Sequence, residues 1–166
     1  SGEHYLFTFR KLFGMEGASL RYSNVYGPRQ DPNGEAGVVA VFSSRLLEGE
    51  PLTIYGDGMQ TRDYVYAGDV ARANLLLTTT PLPDPVSVDD VAFNVATGEE
   101  TSVVKLAETL LKAAGRDVEL QHAPPRKGEV LRSCLRTEKL RALGWAPEVS
   151  LEQGLGNTYQ HIAQEI

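Results

Sequence analysis

Apolar residues recur along this chain with two periods. At 3.6-residue spacing, Tyr5, Leu6, Phe9, Leu12 and Phe13 mark one face of a helix over 3–13, and Gly14 ends it. The same period, through Val38, Val41, Phe42, Arg45 and Leu46, predicts a helix from Gly37 to Leu47. Val70, Ala73, Leu76 and Leu77 predict a third helix from about 69, closed by Pro81. Ser102 caps a fourth that runs to Ala114 and stops at Gly115. Thr137 is expected to cap a short helix ending at Gly144, and Ser150 with Gln153 forms a capping box for the last one. Short apolar runs between these helices predict strands near 17–22, at Leu52–Tyr55, at Asp63–Tyr66, at Val91–Val95 and, by alternation, at Asp117–Gln121. The stretch leading to about 36 and the Pro-rich stretch 81–90 are loops. Strands that alternate with helices in this way predict a mixed α/β chain with parallel strand–helix units.

Composition narrows the class. The 166 residues suit one ordinary domain, and 42% hydrophobic with 23% charged residues is a soluble, globular balance. No apolar run approaches the roughly 20 residues that span a bilayer, and Ser1-Gly2-Glu3-His4 lacks the basic start and apolar core of a signal peptide. Cys134 is alone, which excludes an internal disulfide, is consistent with a reducing, cytoplasmic setting, and is expected to be a small buried residue. The net charge of −6 argues against nucleic acid. His4, His122 and His161 have no spacing that points to a metal site.

The densest chemistry lies in Arg21-Tyr22-Ser23-Asn24-Val25-Tyr26-Gly27-Pro28-Arg29-Gln30. An apolar lead-in, Ala18-Ser19-Leu20, brings these polar side chains to a strand end, and Gly27-Pro28 breaks it. Polar groups at the carboxyl end of a strand are where an α/β protein meets a ligand. Arg21, Arg29, Arg62, Arg126 and Lys127 are donors that could converge on an anionic group.

The wording of four blocks carries a resemblance. They are Leu20 to Gln30, then Leu52 to Tyr66 with Asp69-Val70-Ala71, then Phe93-Asn94-Val95-Ala96-Thr97-Gly98, and finally Arg126-Lys127-Gly128-Glu129 with Leu143-Gly144-Trp145-Ala146-Pro147. In this order they resemble the NAD-dependent nucleotide-sugar epimerases and dehydratases, the extended short-chain dehydrogenase/reductases, and most of all the UDP-glucose 4-epimerase-like branch. The family's Gly-x-x-Gly-x-x-Gly turn and its Tyr-x-x-x-Lys pair are absent from these residues. The chain is therefore similar to the carboxyl half of such an enzyme, beginning just past its catalytic base.

The resemblance implies a partial Rossmann-like parallel sheet plus the small α/β nucleotide-sugar-binding domain of that family. About 1–35 and 67–100 would be Rossmann-associated, and about 36–66 and 101–166 the substrate-binding part. It implies that Asn24 bonds the sugar diphosphate, that Arg62 and Arg126 grip phosphate, and that Glu129 accepts ribose hydroxyls where most relatives carry Asp. Leu52, Thr53, Ile54 and Tyr55 would lie along the base, with Tyr55 able to stack on it, and Tyr22 and Ser23 would lie beside the nicotinamide of NAD. In the family a tyrosine takes the 4-hydroxyl proton while NAD takes the hydride, chemistry that belongs to the absent elements. The expectation is a UDP-sugar-binding portion, catalytically inactive by itself, from an epimerase or alternatively from a 4,6-dehydratase or decarboxylase. A chain of another class, a truncated module that only binds nucleotide sugar or self-associates, is the remaining alternative. The helix at 3–13 has a counterpart in the family's intersubunit bundle, so a homodimer or larger assembly is expected.

Overall fold

The computed structural model describes residues 2–31 and 37–165. The part of the predicted loop at 32–36 lies outside them. The helices are α1 (Gly2–Phe13), α2 (Val38–Glu48), α3 (Ala67–Thr79), α4 (Val103–Ala114), α5 (Glu138–Arg141) and α6 (Leu151–Glu165). The strands are β1 (Ser19–Tyr22), β2 (Asn24–Tyr26), β3 (Leu52–Tyr55), β4 (Thr61–Arg62), β5 (Tyr64–Tyr66), β6 (Ala92–Val95), β7 (Thr101–Ser102), β8 (Leu120–Ala123) and β9 (Arg132–Ser133).

Three parallel pairs organise the chain. β1 lies beside β6 with Leu20 against Phe93, β2 beside β5 with Asn24 against Tyr64, and β3 beside β8 with Leu52 against Leu120. β4 is the centre of a small mixed sheet, antiparallel to β7 and parallel to β9. Two apolar clusters fill the layers. One joins α2, β3, α4 and α6 through Phe42, Leu46, Ile54, Leu106, Leu110 and Leu155. The other joins α3 and β6 to α5 and the segment after it through Val70, Phe93, Val95, Leu140 and Trp145.

Local chemistry explains most boundaries. Ser102 accepts from the Lys105 N–H at 3.2 Å, and Gly115, with φ of 60°, closes α4 in the left-handed region. α2 ends the same way at Gly49. Thr137 differs from expectation: its hydroxyl makes no cap bond and instead accepts from Arg141 Nε at 2.9 Å. The predicted strand at Val91–Val95 starts one residue late, because Val91 belongs to a 3₁₀ turn, Val88–Val91, capped reciprocally by Ser87 and Asp90. β8 sits later than the alternation at 117–121 predicts. Its place is fixed by β3, whose Leu52 N–H donates to the Glu119 carbonyl at 3.0 Å and whose following Gly56 N–H donates to Ala123 at 2.8 Å.

Two buried carboxylates tie distant segments together. Asp63, wholly buried between β4 and β5, accepts from the Thr97 N–H, the Thr97 hydroxyl and the Gly98 N–H at 2.8–2.9 Å. Asp69, in the first turn of α3, accepts from Arg72 at 2.6 Å and from the Glu148 and Val149 N–H groups at 3.2 Å, while its own carbonyl takes the Trp145 indole N–H. Each is a buried charge compensated by several donors, as a low-dielectric interior requires. Cys134 departs from the buried position expected of it. The residue is exposed just past β9, but its thiol turns inward to face Asp63, and the partial loss of solvent there, with that carboxylate second, pushes its pKa up.

Candidate functional site

A cavity of about 250 Å³ opens among α2, β3, β4 and the loop after β8. The i, i+3, i+4, i+7 face of α2 supplies Val38, Val41, Phe42 and Arg45. β3 supplies Thr53 and Tyr55, whose side chains share one face, while Leu52 and Ile54 alternate into the apolar core and are fully buried. Asn24, Gln60, Arg62 and Tyr64 enter from the other strands and their connections, and Arg126 and Glu129 from the loop.

Six of the eight substrate-side residues predicted from sequence therefore meet at one hollow: Asn24, Thr53, Tyr55, Arg62, Arg126 and Glu129. Leu52 and Ile54 do not line it, because the strand pleat turns both inward. Of the five cations singled out in the sequence, Arg62 and Arg126 reach the cavity. Arg21 is engaged elsewhere, bridging Glu3 at 2.6 Å and Asp89 at 2.9 Å. Arg29 and Lys127 do not line it. Tyr22 and Ser23 also lie off the cavity. The Tyr22 hydroxyl pairs with the Asn74 amide, and the Ser23 hydroxyl faces Asp63 at 3.4 Å.

Arg62 donates to the Thr61 and Val130 carbonyls at 2.9 and 2.6 Å, and its second nitrogen lies 3.7 Å from Glu129 Oε1. The Arg126 guanidinium lies over the Tyr55 ring, 3.9 Å from its centroid, a cation–π contact that holds it at the cavity wall. Tyr55 and Arg126, with Gln60 and Glu129, also wall a second, more open hollow of about 590 Å³. Burial pushes the Tyr64 phenol up to about 12, with Arg62 pulling the other way. It is a neutral hydrogen-bonding group across the working pH range.

Among the lining residues that the sequence did not single out as site residues are Gln60 and Arg45. Gln60, only 8% exposed, donates to the Tyr55 carbonyl at 3.1 Å and to Glu129 at 3.4 Å, and so joins the strand to the loop. Arg45 was legible only as a charged residue within an otherwise apolar helical stripe. With both counted, three arginines face one carboxylate around a single cavity of a protein whose net charge is −6. That concentration of cations suits a multiply charged anion with an apolar end. No cluster of His, Cys, Asp and Glu suited to a metal occurs among the described residues.

The model of the NAD dependent epimerase/dehydratase family matches residues 1–96. The chain belongs to that family. A putative UDP-glucose 4-epimerase of Methanocaldococcus jannaschii is 44% identical over 154 residues, 93% of this chain and 48% of that protein. The crystal structure of a Thermotoga maritima UDP-glucose 4-epimerase with UDP-glucose superposes with a TM-score of 0.88 at 46% identity, covering 98% of this chain and 51% of that one. A Thermus thermophilus UDP-glucose 4-epimerase in complex with NAD gives 0.84 at 43% identity, covering 99% and 52%. The chain thus spans about half the length of the proteins it matches, and its mixed α/β fold with short parallel sheets is that of their Rossmann-like enzymes.

Proposed function

We propose that this chain carries the nucleotide-sugar grip of an NAD-dependent, UDP-glucose 4-epimerase-like enzyme. The observation that carries the reading is the gathering of Arg45, Arg62 and Arg126 around one partly apolar cavity in an acidic protein. Arg62 and Arg126 take the diphosphate, Asn24 bonds it from the β2 side, and Glu129 accepts ribose hydroxyls. Tyr55 contributes indirectly, because its ring face already carries Arg126. A base stacks there only if that guanidinium moves. The relatives' activity on UDP-glucose supports the choice of sugar nucleotide. The reading divides the chain into a substrate part at 36–66 and 101–166 and a cofactor side at 1–35 and 67–100, a division that the apolar clusters support in part, since Tyr26 packs with the first cluster and Val65, Leu140 and Trp145 with the second.

NAD is the family's cofactor, and it would supply hydride acceptance and return. The residues here fit only an edge of it. The Tyr22 and Ser23 hydroxyls already have partners, and the Gly-x-x-Gly-x-x-Gly spacing that would receive a pyrophosphate does not occur in the sequence. Self-association belongs to the same proposal, since α1 exposes Tyr5, Leu12 and Phe13 at 70–71%.

Calorimetric titration with UDP tests the site. Charge-assisted bonds to phosphate contribute about 1.5–3 kcal/mol, so Arg62→Ala and Arg126→Ala are each expected to weaken binding about 10- to 100-fold. Binding that neither substitution alters would remove the assignment.

A further inference from the structure

We propose that Arg45 is a specificity-determining residue that reads the 4-carbonyl of a pyrimidine-dione base. The inference rests on the nucleotide reading of the cavity given above. Three observations lead to it. Arg45 is the last residue of the cavity-facing stripe of α2, one turn beyond Val41 and Phe42, so a flat apolar ring seated on that face ends at a cation. Its Nη1 donates to two neutral oxygens, the Pro51 carbonyl at 3.2 Å and Thr53 Oγ1 at 3.3 Å, which fix the guanidinium against β3. The other cationic pole, Arg126, sits on Tyr55, two residues further along the same face of β3 and so about 7 Å away along the strand.

The two poles ask for different things. Arg126 and Arg62 suit the diphosphate. A nucleotide held there by its phosphates directs its ribose and then its base toward Thr53 and Arg45. In a pyrimidine the 4-position lies across the ring from the glycosidic nitrogen, so it is the substituent that arrives first at the far end. A guanidinium has donors and no acceptor. It rewards a carbonyl at that position and leaves a 4-amino group facing another donor, which costs the desolvation of both. Uracil-type bases satisfy this edge and cytosine does not. The 2-carbonyl, next to the ribose, stays on the phosphate side and is common to both.

The experiment compares UDP with CDP by calorimetry on the 166-residue protein. The unaltered protein is expected to prefer UDP by about tenfold or more, the scale of one hydrogen bond to a charged group. Arg45→Met, which keeps the aliphatic packing, is expected to lower UDP affinity about tenfold and leave CDP within about twofold. Arg45→Gln, whose amide both donates and accepts, is expected to let CDP close the gap. Equal affinity of the unaltered protein for UDP and CDP overturns the proposal without any variant. So does a parallel loss of both ligands in Arg45→Met, which is the signature of a purely structural tie. If UDP binding depends on Arg126 but not on Arg45, only this inference fails. If UDP does not bind, or binds without regard to Arg62 and Arg126, the nucleotide reading itself fails.

Discussion

Glu100 shows how one exposed side chain can hold an edge of the structure. Its carboxylate takes both nitrogens of the Arg132 fork, at 2.6 and 3.1 Å, and the Thr61 hydroxyl at 2.6 Å, so it clamps β9 to β4 beside the residue that precedes Arg62. Those bonds lower its pKa from an ordinary 4.5 to about 2, Arg132 first and Thr61 second. A depressed carboxylate stabilises the fold above its unfolded pKa and loses that contribution as pH falls toward the folded value. The clamp is therefore complete above pH 4.5 and released toward pH 2. The side-chain carboxyl resonance of Glu100 is expected to titrate near 2 in the native protein and to return toward 4.5 in Arg132→Ala. A midpoint near 4.5 in the native protein would show that the fork is not formed in solution.

Among the elements, α6 depends on a missing side chain. Gly154 lies in the first turn of α6 and already donates to the Ser150 carbonyl, and within a helix alanine ordinarily improves on glycine by about 0.8–1.0 kcal/mol. Here a Cβ would collide with the Tyr26 hydroxyl, and Tyr26 has nowhere to go: it is buried at the end of β2 and packed edge-on by Tyr64 and Tyr66, 6.4 and 5.8 Å away. Gly154→Ala is expected to destabilise by about 1–3 kcal/mol, the cost of overpacking, read as a lower denaturant midpoint. A gain in stability would mean that α6 slides freely over β2. The elements legible in the sequence were those with both a period and a stop, such as α4 between Ser102 and Gly115, or β3 with its inward Leu52 and Ile54. β4, β7 and β9 were illegible because two residues carry no period, β2 because three residues in a polar run read as loop, and β8 because its partner strand, not its own alternation, sets its place. The cavity was half legible for a related reason. Arg62 and Arg126 stood in recognisable wording, whereas Gln60 and Arg45 acquire meaning only when folding sets them against Tyr55, Glu129 and Thr53.

For the molecule as a whole, α1 is the least conventional part. It has no fully buried residue, and its partly covered face is attached by polar groups. Arg10 donates to the Leu82 and Pro83 carbonyls at 3.1 Å, Lys11 bridges Asp84 at 3.0 Å, and Arg21 reaches across to Glu3. The opposite face presents Tyr5, Leu12 and Phe13 to water. The two faces answer salt in opposite senses. Screening shortens from about 10 Å at 0.1 M to about 3 Å at 1 M and weakens the ionic tethers, while apolar contact with a second molecule is spared. Rising salt is thus expected to loosen α1 from its own molecule while leaving its exposed apolar face unscreened. Amide exchange over residues 2–13 is expected to quicken at 1 M NaCl while α4 and α6 stay protected. Unchanged exchange in α1 would show that the helix is seated by its packing rather than by its charges. The self-association proposed for α1 would then be a matter of ionic strength and not of sequence alone.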